Sequence, residues 1–152
     1  MIIFIIITLL LDIVLKYLYP SLGILFLTSS LVLIYMIYPI KKTYLFAIIF
    51  GIIYDLLYTD IGFINIYLNI IIIFCLKNIF SKLEINNFTV AISTAISLIV
   101  YLLVIYIVLL LSSRINLDSI SFIFMALTIL INVLYNLIAF EIINTKYILR
   151  RQ

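Results

Sequence analysis

The chain has 152 residues, 68% of them hydrophobic and 10% charged, with a formal net charge of +3. A soluble domain of this size has about a quarter of its residues charged and about half apolar, so this composition points to an integral membrane protein. The absence of histidine and the single cysteine, Cys75, exclude an intramolecular disulfide and remove the commonest metal ligand and the usual general base near neutral pH.

Six apolar segments are predicted as transmembrane helices, since crossing the hydrocarbon core takes about 17–25 residues. The first covers 2–18 and ends at Tyr19-Pro20. It has no basic n-region or small-residue cleavage site, so a cleavable signal peptide is not expected. It does carry Asp12 and Lys16, spaced i, i+4, which can pair along one face. Alternatively, Lys16 snorkels to the outer interface and Asp12 finds another partner.

The second helix spans 21–38, with Pro20 suited to its first turn, and is closed by Pro39, Lys41 and Lys42. Thr28, Ser29 and Ser30 are its polar positions. The third, 44–58, is short for a span and contains Gly51 and Asp55, with Asp60 and Gly62 in the turn that follows. A carboxylate at the centre of a membrane helix costs about 2.5–3.5 kcal/mol on insertion scales, so Asp55 should face the bundle or a wet cavity. Gly51, one turn earlier, allows a neighbouring backbone to approach closely. Two readings of Asp55 follow: a carboxylate in a pocket or partner interface, or an internal one tying helices together.

The fourth helix, 62–80, places Asn65 and Asn69 one turn apart. The fifth, 88–111, has Ser93 and Ser97 beside Ala91 and Ala95, and Arg114 follows its outer end as a candidate partner for Asp55, Asp60 or Asp118. The sixth, 119–143, aligns Thr128, Asn132 and Asn136 on one face. Unsatisfied polar groups are expensive in lipid, so these stripes are expected on buried faces. Short connections leave no room for a soluble domain, and 1–152 is expected to form a single membrane domain.

With a cytoplasmic N-terminus, Lys41, Lys42, Lys77, Lys82, Lys146, Arg150 and Arg151 fall on the inner side. Only Lys16 and Arg114 fall on the outer side. This asymmetry predicts that both termini are cytoplasmic. No nucleophile with an oriented base, metal cluster or glycine-rich phosphate loop is visible, so neither catalysis nor a cofactor is expected. The basic excess belongs to topology and gives no nucleic-acid signal.

The six short-looped helices, together with Phe50-Gly51-Ile52-Ile53-Tyr54-Asp55-Leu56-Leu57 and then Gly62, resemble the bacterial rod shape-determining MreD family. Its pattern places a Gly-x-x-x-Asp stretch in the third helix and a further glycine after it. The resemblance implies an all-α membrane fold like that of the S components of energy-coupling-factor transporters. It also implies a non-catalytic scaffold of the cell-elongation machinery in the bacterial cytoplasmic membrane. Such a subunit binds MreC and, through the complex, connects to RodA, its penicillin-binding transpeptidase and MreB. On this resemblance, Gly51 and Asp55 hold helix three in the geometry that presents a partner groove, and helix one or two offers apolar surface to the partner's single helix. The S components themselves, which bind vitamins, are the alternative. Two departures separate this chain from them: residues 2–18 contain no Ala or Gly, and the chain has neither Trp nor His.

Overall fold

A computed structural model describes residues 2–19, 24–58, 63–80, 84–112 and 122–148. These residues form an all-α structure of six helices: α1 Ile2–Leu18, α2 Phe26–Ile37, α3 Ile40–Tyr58, α4 Ile64–Phe80, α5 Asn87–Leu111 and α6 Phe122–Ile148. Asp60, Gly62, Lys82, Arg114 and Asp118 lie outside the described residues.

The bundle is built around α2. Every residue from Ile24 to Ile34 is buried, and α2 packs against all five other helices. Its sequence permits this because it has no charged residue and two of its three Ser and Thr hydroxyls turn back onto their own helix. Ser29 Oγ donates to the Phe26 carbonyl at 3.2 Å, and Ser30 Oγ donates to that of Leu27 at 2.8 Å. Burial on all sides corrects one expectation: α2 has no free apolar flank for a partner helix. That surface belongs to α1, where Ile3, Ile6, Leu10, Val14 and Tyr17 are all about half or more exposed.

Several boundaries move from their predicted positions, among them the end of α6, which lies at Ile148 rather than at 143. Pro39 follows the end of α2, as expected, and it also opens α3, which begins at Ile40 rather than at 44. Its carbonyl accepts the N–H groups of Lys42 and Thr43 at 2.9 and 3.2 Å, so both lysines sit in the first turn of α3. Proline fits there because a first-turn N–H has no partner inside the helix. At the other end of α2, residues 24–25 are non-helical, and the predicted start at 21 gives way to a start at Phe26.

The helices differ in their capacity to cross a membrane. Among the described residues, two are long and apolar enough, α5 over Asn87–Leu111 and α6 over Phe122–Asn144. The α1 and α4 helices each have 17 residues and α2 has 12, while α3 carries Lys41, Lys42 and Asp55.

Antiparallel packing of neighbours fixes the depth of each residue. Along α3 and α4, Asn69 Nδ2 donates to the Ala47 carbonyl at 3.3 Å, and Asn65 meets Asp55 further along. Along α5 and α6, Asn87 bonds Glu141 while Thr94 bonds Asn136. The main apolar core lies among α2, α3, α4 and α5, from Leu27, Leu31 and Ile34 to Phe50, Ile72 and Leu98. A smaller cluster joins Leu33 to Val90, Ala139 and Phe140.

Candidate functional site

Two aspartates organise the polar interior, and each accepts the backbone of the helix after its own. The unpaired N–H groups of a helix's first turn attract an acceptor and favour negative charge. Asp12, on α1, is fully buried. Its Oδ1 accepts the Phe26 N–H at 2.7 Å, at the first residue of α2. The same oxygen accepts the Tyr54 hydroxyl from α3 at 2.9 Å. Its other oxygen stands 3.8 Å from Lys16 Nζ, so the i, i+4 pair does form along α1. The Lys16 ammonium also lies 4.0 Å above the centre of the Tyr54 ring, where the electron-rich face of the aromatic attracts a cation. One carboxylate therefore joins α1, α2 and α3.

Asn132 completes this end of α2. Its Oδ1 accepts the Leu25 N–H at 3.0 Å, while its Nδ2 donates to the Thr128 carbonyl at 2.7 Å. One turn along α6, Asn136 Nδ2 donates to the Ser29 carbonyl at 2.7 Å and to Thr94 Oγ1 at 2.9 Å. Between them Tyr135 stacks on Phe26, with ring centres 4.1 Å apart, and its hydroxyl hydrogen-bonds Thr8. The backbone where α2 begins, Leu25 and Phe26, is thus met by side chains from two other helices. That is the condition under which irregular backbone is tolerated inside a bundle.

Asp55 does the corresponding work for α4. Its Oδ1 accepts the Asn65 backbone N–H at 3.1 Å and the Asn65 side-chain amide at 2.8 Å. Asn65 Oδ1 in turn accepts the Tyr101 hydroxyl from α5, so α3, α4 and α5 meet at one chain of hydrogen bonds. Gly51 makes the close approach possible. A Cβ built there would stand 2.5 Å from the Ile66 Cα and 2.6 Å from its backbone nitrogen. No side chain larger than hydrogen fits without moving α4. At the entrance to α4, Phe63 has φ of 66°, the left-handed region that a bulky residue rarely occupies.

The predicted site residues therefore divide into two groups. Asp12 and Lys16 meet at the start of α2, with Asn132 on its far side, and Gly51, Asp55 and Asn65 meet at the α3–α4 joint. Asn69 and Asn136 lie deeper between helices, and both are fully buried. Asp60, Gly62 and Arg114 are outside the described residues, and so are the proposed partnerships of Arg114 with Asp55, Asp60 or Asp118. Two residues were missed by the reading of the sequence, Tyr54 and Tyr101. Both are buried, and both carry a hydroxyl that ends on a polar side chain of another helix. The available signal was spacing. Tyr54 immediately precedes Asp55, and Tyr101 stands one turn beyond Ser97 on the same face. Among the described residues, no group of three or more Cys, Asp or Glu side chains converges to hold a metal ion.

Comparison of the chain with protein-family models, curated proteins and solved structures gives no match.

Proposed function

We propose that the chain is a multi-pass subunit of the bacterial cytoplasmic membrane that acts as a non-catalytic scaffold of the rod-shape, cell-elongation complex. In this reading it binds MreC and connects, through that complex, to RodA, the penicillin-binding transpeptidase and MreB. The observation that carries the reading is the use to which the Gly51–Asp55 signature is put. The glycine is filled by the Ile66 backbone and the carboxylate engages the start of α4. Both are committed to joining helices, which is the role the MreD resemblance gives them.

The multi-pass arrangement draws support from four features. Polar side chains turn inward, while large apolar side chains of α1, α5 and α6 face out. A length of 17 residues, as in α1 and α4, reaches the lower limit of about 17–25 for a span. The short α2 needs no lipid-facing length of its own, because it is enclosed by protein. Exposed Tyr17, Tyr19, Phe63, Tyr67 and Phe122 sit near helix ends that the alternating topology brings to one side, as interfacial aromatic residues do. The outward face of α1 is the docking surface for the single helix of MreC. Membrane helices associate through packing, and a peripheral helix with a broad apolar face offers that area.

Co-expression with MreC, followed by detergent extraction and affinity capture, tests the proposal. Recovery of MreC with the wild-type chain is expected, with loss when bulky substitutions such as Leu10→Trp and Val14→Trp are placed on the outer face of α1. A purified chain that carries a bound vitamin and fails to recover MreC would replace the scaffold reading with that of a transporter S component.

A further inference from the structure

Three lysines crowd one end of the α3–α4 pair against the local electrostatics. Lys41 and Lys42 stand in the first turn of α3, which has no acidic residue. Cations there oppose the helix dipole, whose N-terminal end is positive. Lys77 is in the last turn of α4, and all three lysines are exposed. Among the described residues, none of the three forms an ion pair with a carboxylate. Lys42 Nζ lies 5.9 Å from the centre of the Tyr38 ring.

The register of the two helices brings these charges to one place. Asn69 of α4 bonds the Ala47 carbonyl of α3, so these residues are level. Lys41 is six residues from Ala47 and Lys77 eight from Asn69, toward the same end of the antiparallel pair. At about 1.5 Å per residue these runs are about 9 and about 12 Å, so the lysines finish within about 3 Å of one level. Gly51 faces α4, with the Ile66 backbone against it, and Asn69 faces α3. At about 100° per residue, Lys41 lies about 80° round α3 from Gly51, and Lys77 about 80° round α4 from Asn69. The opposite flanks are closed, since Thr43 and Phe50 on α3 and Leu68 and Ile72 on α4 are buried. Both lysines therefore stand on the two banks of the α3–α4 seam, on its outward side. Beyond them the seam is apolar. Leu45, Ile48 and Ile52 follow Lys41 at i+4, i+7 and i+11 and are exposed, and Phe74 is exposed one turn from Lys77. From Lys41 to Ile52 is about 16 Å of helix, close to half of a hydrocarbon core of about 30 Å.

We infer that this seam binds one anionic phospholipid, with its phosphate between Lys41 and Lys77, Lys42 beside it, and an acyl chain along Leu45, Ile48 and Ile52. The phosphate supplies the negative charge that neither helix provides, at the positive end of α3 and between cations from two helices. The apolar run selects a lipid over free phosphate, which has nothing to place there. A zwitterionic lipid is disfavoured because it brings a further cation to a basic site. Basic pockets between helices on the cytoplasmic side hold anionic headgroups by the same attraction, and the charge asymmetry of the chain assigns these lysines to that side. The bound lipid bridges α3 and α4 at the end opposite Asp55. The site rests on the multi-pass reading of the chain and not on its partnership with MreC.

The test uses the full chain purified in detergent and titrated with phosphatidylglycerol or phosphatidylcholine of the same acyl chains, with bound lipid counted by native mass spectrometry. The expected result is saturable retention of one phosphatidylglycerol and weaker retention of phosphatidylcholine. Lys41→Gln and Lys77→Gln should each weaken phosphatidylglycerol binding about fivefold, the effect of one lysine on an anionic headgroup, and should melt like the wild type before lipid is added. Inorganic phosphate should not displace the lipid. Equal retention of the two lipids, uptake without saturation, displacement by inorganic phosphate, or unchanged affinity in the double variant overturns the proposal. A second measurement needs no variant: bound phosphatidylglycerol should shield Lys41 and Lys77 of the wild-type chain from acetylation. Equal labelling of both lysines in the two lipids overturns the site. Release of the chain from membranes by alkaline carbonate would overturn the multi-pass reading and the site with it, whereas the lipid outcomes overturn the site alone.

Discussion

The two aspartate sites solve one problem in two environments. Asp12 and Asp55 each stand on one helix and accept the first-turn N–H of the next, Phe26 in one case and Asn65 in the other. Around Asp12 the carboxylate is sealed, its charge is met by Lys16, and its partners come from α1, α2 and α3. Around Asp55 the residue is only partly buried, and the bonding partners are an amide and, beyond it, a phenol. The Asp12 site holds the central helix of the bundle, and the Asp55 site holds the joint between two of its neighbours. The comparison predicts that the same substitution has unequal consequences at the two positions.

The largest effect is expected at Asp12. Replacing it with leucine removes the acceptor for the Phe26 N–H and for the Tyr54 hydroxyl. It also removes the carboxylate that faces the partly buried Lys16 ammonium. Breaking a buried pair by removing one partner costs about 3–5 kcal/mol. Asp12→Leu should therefore deplete the folded protein or strongly lower its melting temperature in detergent, and Asp12→Asn, which keeps an acceptor, should lose less. If Asp12→Leu melted like the wild type, the carboxylate would not be what secures α2.

Gly51→Val comes next and probes the second site through its packing. The new side chain would meet the Ile66 backbone, which cannot yield as a side-chain tip can. Overpacking costs about 1–3 kcal/mol, occasionally more. The expected outcome is a lower melting temperature and loosened α3–α4 contacts, read as faster cross-linking or labelling of cysteines placed along that seam.

How much of this was legible in the sequence depended on whether the cause was local. Gly51 and Asp55 declared themselves because a glycine and a carboxylate one turn apart in an apolar run have few uses, and helix contact is one. The stripes at Asn65 and Asn69, and at Thr128, Asn132 and Asn136, followed from helical spacing, and their faces are buried. Asp12 was less readable. Its i, i+4 lysine offered a sufficient local explanation, and the pair does form, but the role at α2 depends on where α2 begins. That start, at Phe26, is decided by Asp12 and Asn132 from elsewhere in the chain. Pro20 and the residues after it have the local character of a helix start, whereas the N–H groups of Leu25 and Phe26 are held by tertiary hydrogen bonds. The central position of α2 was hidden for a related reason. A short uncharged helix carries little sign of which faces are covered, and only the packing of five neighbours covers them all.

At Asp55 itself the expected losses are smaller. Asp55→Leu removes an external cap and leaves the amide of Asn65 without its acceptor, a loss of about 1–2 kcal/mol by analogy with helix caps and single buried hydrogen bonds. Asp55→Asn retains an oxygen for the Asn65 N–H and should stay within about 1 kcal/mol of the wild type. Cell-shape complementation at matched protein levels separates the roles. Retention by Asn and loss by Leu marks a structural hydrogen bond, while equal loss in both at normal stability would assign the function to the charge.

The smallest effect, of opposite sign, is expected at Phe63. A left-handed backbone costs a residue with a side chain about 1–2 kcal/mol, and Phe63 holds that conformation at φ of 66° where α4 begins. Its side chain is 66% exposed, so removing it takes little from the core. Glycine adopts the same backbone without steric cost but loses more chain entropy on folding, about 0.5–1 kcal/mol. The balance predicts that Phe63→Gly is stabilising by about 0.5–1 kcal/mol, a rise of about 1–4 °C in melting temperature. The gain should persist in the Asp55→Leu background if strain at Phe63 and the carboxylate act independently. If the gain disappears there, the hydrogen bonds from Asp55 to Asn65 are what impose the left-handed turn, and the cap and the strain at the start of α4 form one device.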